Sequence, residues 1–162
     1  QALQEFLGVE KLKRRRGAII GAGGAARAIA YAVKKLCGKA CIFNRTVANA
    51  KAIADKYGFA FSQLGPDCLY DLDYYSDIII QTTSVGSGSV GPSSEKNDPL
   101  YFYNFKGTES LYDIVYTPEV TPIMTRAMAA GCKVSNGYSM LRYQGYKQFK
   151  LFTGVDYGND TE

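Results

Sequence analysis

A chain of 162 residues, 46% hydrophobic and 21% charged, is long enough to bury the core of one globular domain and too apolar to be disordered. Its net charge of +4, from 19 basic and 15 acidic residues, gives no reason to expect a nucleic-acid or membrane partner and is sufficient for a small anionic ligand. The apolar runs, such as residues 78–80, fall far short of the roughly 18 residues that span a bilayer. No signal-peptide pattern opens the chain, so a cytoplasmic location is expected. Cys37, Cys41, Cys68 and Cys132 form no C-x-x-C pair, and with no histidine present they read as buried, reduced thiols rather than metal ligands.

In residues 1–7, Leu3, Phe6 and Leu7 share one helical face before Gly8, and a basic run follows from Lys11 to Arg16. Residues 1–16 are therefore expected to form a connecting helix and a solvated basic linker. From Gly17 onward short apolar runs alternate with helical spacing, the pattern of βαβ units and a parallel sheet. Strands are expected at 18–20, 40–43, 59–61, 77–81, 111–115 and 133–135. Helices are expected near 25–37, 47–57, 67–74, 122–130 and 139–152. Thr121 and Pro122 open the fourth of these and Gly131 follows its end, as the proline-first, glycine-last asymmetry expects. The Gly- and Ser-rich stretch 86–97 is a loop without periodicity, and residues 156–162 read as a polar, frayed tail. The fold class is α/β: a Rossmann-type, doubly wound, mainly parallel six-stranded sheet with helices on both faces, over residues 17–155.

Directly after the first strand comes Gly21-Ala22-Gly23-Gly24-Ala25-Ala26, a G-x-G-x-x-A match between a strand and a helix. Gly21 permits the tight turn, Gly23 lets a pyrophosphate approach the backbone, and Ala26 is small enough for close packing of helix on strand. The helix N-terminus then offers unpaired N–H groups to phosphate. About twenty residues further on, an acid would accept the ribose 2′-OH of NAD and repel a 2′-phosphate. This chain has Asn44-Arg45-Thr46 there instead: a neutral amide, a permanent charge with a donor fork, and a hydroxyl at the expected start of the next helix. The triplet reads as an anion pocket, and NADP (NADPH) as the cofactor.

Four blocks together resemble the shikimate dehydrogenases and their quinate/shikimate relatives. They are the loop 21–28 with Arg27, the triplet 44–46, the run Gln81-Thr82-Thr83-Ser84-Val85-Gly86, and the pair formed by residues 112–118 and 136–145. The resemblance covers roughly residues 8–154 and implies an oxidoreductase that reversibly reduces 3-dehydroshikimate with NADPH, giving shikimate for aromatic amino-acid biosynthesis. It implies that Tyr116 and Gln144 contact the substrate, that Ile114 and Gly137 meet the nicotinamide through backbone groups, and that Thr82, Thr83 and Val85 line the cofactor. Asp113 is expected to fix the turn before Tyr116. The run after the fourth strand departs from the family's Asn-Thr-Thr-Pro-x-Gly-Met, with Gln81, Ser84 and Ser87 in place of its Asn, Pro and Met.

Hydride transfer to a ketone leaves an alkoxide that a general acid must protonate. The family draws that acid from a lysine and aspartate pair in an N-terminal substrate domain, and no segment of this chain matches it. The chain is thus expected to be the NADP-binding domain without catalytic residues of its own, binding NADPH with almost no turnover. Two alternatives remain open: a quinate/shikimate dehydrogenase using NAD, and a non-catalytic nucleotide-binding module of a multifunctional or regulatory protein.

Overall fold

Runs of Ile, Val, Ala and Phe with no polar alternation make strands that are covered on both faces, which is how a parallel sheet reads in sequence. The computed structural model describes residues 1–158, and residues 159–162 of the expected polar tail lie outside them. The strands are β1 (Arg16–Ile20), β2 (Lys39–Asn44), β3 (Ala60–Gln63), β4 (Ile78–Gln81), β5 (Ser110–Asp113) and β6 (Lys133–Ser135). They form one sheet in the order β3-β2-β1-β4-β5-β6, with every neighbouring pair parallel. The helices are α1 (Ala2–Leu7), α2 (Gly24–Lys35), α3 (Val47–Tyr57), α4 (Leu69–Tyr74), α5 (Pro122–Ala129) and α6 (Tyr138–Thr153), with a 3₁₀ turn at Pro66–Cys68 ahead of α4.

Successive strand residues point to opposite faces, and two cores result. On one face Ile19, Ile42, Ile78 and Ile80 pack with α1, α2 and α3. On the other, Ala18, Ile20, Phe43, Ile79 and Leu111 pack with α4, α5 and the loop before β5. The expected α1 is a real helix: Leu3 and Leu7 are buried, Phe6 tilts against Tyr112 at 5.6 Å between ring centroids, and Gly8 ends the helix in the left-handed conformation.

The boundaries shift for local reasons. The helix expected over 25–37 stops at Lys35 because Cys37 takes the left-handed conformation (φ 63°), with Cys37 N–H donating to Lys34 and Gly38 N–H to Val33. That is a Schellman-type end with cysteine where glycine is usual, and it leaves Cys37 exposed, so the expectation of four buried thiols holds for Cys41, Cys68 and Cys132 only. The fifth strand ends at Asp113, two residues early, because that side chain takes the Val115 N–H. Thr121 occupies the N-cap position of α5, but its hydroxyl donates to Asp113 at 2.7 Å instead of capping the helix. Among the described residues no helix is long and apolar enough to cross a membrane.

The long connection between β4 and β5 is tied down at one buried charge. Asp98, with no exposed surface, accepts from Arg126 of α5 at 2.6 Å, from the Ser93 hydroxyl at 2.7 Å and from the Leu100 N–H at 2.8 Å. Arg126 also donates to the carbonyls of Leu100 and Tyr103. Removing one member of a buried pair leaves the other charge uncompensated, which costs about 3–5 kcal/mol. Arg126→Met is expected to lower the free energy of unfolding by about that amount in urea titration, and adding Asp98→Asn in the same chain is expected to recover part of it. A loss below about 1 kcal/mol from Arg126→Met would show that the pair does not hold the loop.

Candidate functional site

The strand order reverses direction at β1 and β4, and the crevice outside the carboxyl ends of strands at such a point is where open α/β sheets bind ligands. The connections after all six strands leave from that edge of the sheet. Gly21 leaves β1 with φ 108°, and its N–H donates to Phe43 at 2.7 Å. A Cβ at this position would lie 2.8 Å from the Thr82 hydroxyl and 2.9 Å from the Thr83 methyl, so both conformation and space demand glycine. Gly23 is the N-cap of α2 and Gly24 its first residue, with no side-chain cap. A Cβ at either would have no protein atom within 4 Å. Their smallness therefore leaves the free N–H groups of α2 open to a phosphate. Ala26 is wholly buried where α2 crosses the sheet, while Ala22 and Ala25 are half-buried.

Beside this loop is a cleft of about 340 Å³ lined by Asn44 and Arg45 from the end of β2, by residues 64–66 after β3, by residues 83–85 after β4, and by Glu95, Asp98, Pro99, Tyr101 and Phe102. Asn44 Nδ2 donates to the Thr46 carbonyl at 3.0 Å, and Gln63 Nε2 donates to the Arg45 carbonyl at 3.3 Å, so the triplet's backbone is held while the Arg45 side chain stays exposed. Thr46 is the N-cap of α3, and its hydroxyl makes no cap bond.

Beyond β4, Thr83 and Val85 line the cleft, and Thr82 does not: it is buried and its hydroxyl donates to the Ile20 carbonyl at 2.7 Å. On the β5 and β6 side, Gly137 is buried against Ile114, where a Cβ would fall 1.8 Å from the Ile114 carbonyl oxygen. The Gly137 N–H donates to Val115 at 3.1 Å. Tyr116 is 48% exposed, and Gln144 is exposed on α6. The sites expected from the sequence thus gather at strand ends in two groups, around β1, β2 and β4 and around β5 and β6, with Gln144 standing on the helix that follows.

A buried polar network joins the two groups. Gln81 and Asp113 are register partners on adjacent strands, both without exposed surface. Gln81 Nε2 donates to the carbonyls of Thr83 and Val85, each at 3.1 Å, and to Asp113 Oδ1 at 3.4 Å; its Oε1 accepts the Thr83 N–H at 2.6 Å. Asp113 Oδ1 also accepts the Val115 N–H at 3.0 Å, and Oδ2 accepts the Thr121 hydroxyl. Burial raises the Asp113 carboxyl to about 6, against the lowering pull of these hydrogen bonds. Sequence reasoning gave Asp113 its turn but missed Gln81, and it missed the cleft walls at 64–66 and 95–102. Gly65-Pro66 and the unperiodic loop, both following strand ends, were the signals available for those walls.

A family model described as "Shikimate / quinate 5-dehydrogenase" matches residues 2–94, more than half of the chain. The chain belongs to the shikimate/quinate 5-dehydrogenase family. A "Shikimate dehydrogenase (NADP(+))" of Bartonella henselae is 38% identical over 141 residues, covering 85% of this chain and 47% of that protein. A crystal structure of a shikimate dehydrogenase in complex with NADP+ is 36% identical, with a TM-score of 0.74 over 96% of this chain and 54% of that one. The Thermus thermophilus enzyme in complex with NADP(H) and shikimate is 28% identical, with a TM-score of 0.72 over 96% and 54%. The chain spans about half the length of the curated relatives it matches.

Asp113 also makes stability depend on pH in a separable way. Its folded-state value lies above that of the unfolded chain, so its contribution is fully present below about pH 4 and is lost as pH rises through about 6. Asp113→Asn carries no charge to bury. The stability of the variant relative to the unaltered chain is expected to rise by up to about 3 kcal/mol between pH 4 and 7, read from urea titrations at several pH values. A flat difference would mean that the carboxylate is not strained by burial.

Proposed function

We propose that this chain is the dinucleotide-binding half of an NADP-dependent shikimate dehydrogenase, acting in the reversible reduction of 3-dehydroshikimate to shikimate. The observation that carries this reading is Arg45, an exposed guanidinium in a cleft beside a helix N-terminus bared by Gly23 and Gly24. The names of the relatives and the NADP held by neighbouring structures support it. In this reading the backbone of Gly21, Ala22, Gly23, Gly24 and Ala25 receives the pyrophosphate, and Asn44, Arg45 and Thr46 receive the 2′-phosphate. Thr83 and Val85 border the dinucleotide, Thr82 does so through backbone only, and Ile114 and Gly137 supply backbone groups to the nicotinamide. Tyr116 and Gln144 hold the substrate.

NADPH, when bound, supplies the hydride. The proton comes in this proposal from a lysine and aspartate pair of an N-terminal substrate domain, as the family resemblance implies. Two observations favour such a partner. The relatives are about twice as long, and α6 with the segment after it leaves the apolar side chains of Leu141, Leu151, Phe152 and Val155 exposed. A cytoplasmic location belongs to the same proposal.

Losing a charge-assisted contact of about 1.5–3 kcal/mol weakens binding roughly ten- to hundredfold. Arg45→Ala is expected to lower NADPH affinity by that factor and to leave NADH affinity nearly unchanged, followed by dinucleotide fluorescence; equal losses for both would refute the assignment. With shikimate added, the chain alone is expected to show negligible oxidation. An ordinary enzymatic rate from this half would overturn the two-domain reading.

A further inference from the structure

The cleft that holds Arg45 has a second exposed charge on its lining. Asp98 also lines it, but that carboxylate is wholly buried and committed to Arg126. Glu95 is exposed, and neither a hydrogen bond nor an ion pair engages its side chain among the described residues. Lys96, next in the same turn, does not line the cleft. The turn that carries Glu95 is pinned on both sides. Asn97 Oδ1 accepts the Ser94 N–H at 2.8 Å, Asn97 Nδ2 donates to the Pro92 carbonyl at 3.1 Å, and Ser93 and Asp98 join it to α5 through Arg126. Glu95 is therefore presented at the cleft by a fixed segment.

We propose that Glu95 is a specificity-determining residue that opposes Arg45 and narrows the preference between the phosphorylated and the unphosphorylated dinucleotide. The inference rests on the dinucleotide reading of this cleft and adds to it a second charge of opposite sign. An acid near the adenosine ribose accepts the 2′-OH of NAD and repels a 2′-phosphate. In this chain the end of β2 supplies an amide and a cation, and the β4–β5 connection brings a carboxylate to the lining of the same cleft. A phosphate of about two negative charges in that cleft feels both groups: Arg45 draws it in, and Glu95 on the same lining raises its energy.

The test compares NADPH and NADH titrations, by dinucleotide fluorescence, on the unaltered chain, Glu95→Gln, and Glu10→Gln as a charge-matched change outside the cleft. Glu95→Gln is expected to tighten NADPH about three- to tenfold at low salt while leaving NADH unchanged or weaker, and the gain is expected to shrink as salt is raised. Glu10→Gln is expected to change neither. An unchanged NADPH-to-NADH ratio in Glu95→Gln, with the unaltered chain binding NADPH normally, would overturn the role of Glu95 alone. A gain insensitive to salt, or one reproduced by Glu10→Gln, would also overturn it. Failure of the unaltered chain to bind either dinucleotide would overturn the site itself, and the role of Glu95 with it.

Discussion

Two neighbouring strands end in buried polar side chains that bond to each other, and the loops of the candidate site hang from that pair. Gln81 and Asp113 stand in register at the ends of β4 and β5, and between them they take up backbone groups of Thr83, Val85 and Val115 in the first turns of the two loops. A buried amide or carboxylate without partners costs several kcal/mol, so the loops are held where they satisfy it. Among the described residues no buried side-chain nitrogen or oxygen lacks a partner. Where the family pattern has a proline at 84 to stiffen the backbone, this chain has serine, and the two carbonyl bonds from Gln81 bracket that position instead.

Close approach between loops does the remaining work, and it is glycine that permits it. Gly21 admits Thr82 and Thr83 from β4, and Gly137 admits the carbonyl of Ile114 from β5. The turn after β1 is thereby seated on the turn after β4, and the segment after β6 on the turn after β5. Small residues and buried hydrogen bonds thus act on the same four connections, and the carboxyl edge of the sheet behaves as one packed unit rather than as separate flexible turns.

Most of the architecture was legible in the sequence because the four inner strands are buried on both faces and most of the strands are separated by helices of clear period. All six strands and the helices were found in place, with errors of a few residues at the ends. Those errors have identifiable causes: Cys37 ended α2 in a conformation that propensity assigns to glycine, and Asp113 ended β5 by taking a backbone N–H that the ladder would otherwise use. The glycine loop and the triplet 44–46 were legible because each is contiguous and tied to a strand end. The cleft's far wall was not, since Glu95, Pro99 and Tyr101 come from an unperiodic connection whose position is set by Asp98 and Arg126, 28 residues apart in sequence. Thr82 and Thr121 show the complementary limit. The family resemblance implied that Thr82 lines the cofactor and the start signal before Pro122 marked Thr121 as a cap, but only the fold reveals that each hydroxyl turns inward, to Ile20 and to Asp113.

The first and last helices lie against one another. Glu5 accepts from the Tyr143 hydroxyl at 2.8 Å and pairs with Arg142, while Gln1, Tyr146 and Tyr157 border a single hollow. The segment that opens α1 and the segment that follows α6 are thereby held at one place on the surface. A load on α1 is therefore passed directly to α6, the helix that carries Gln144.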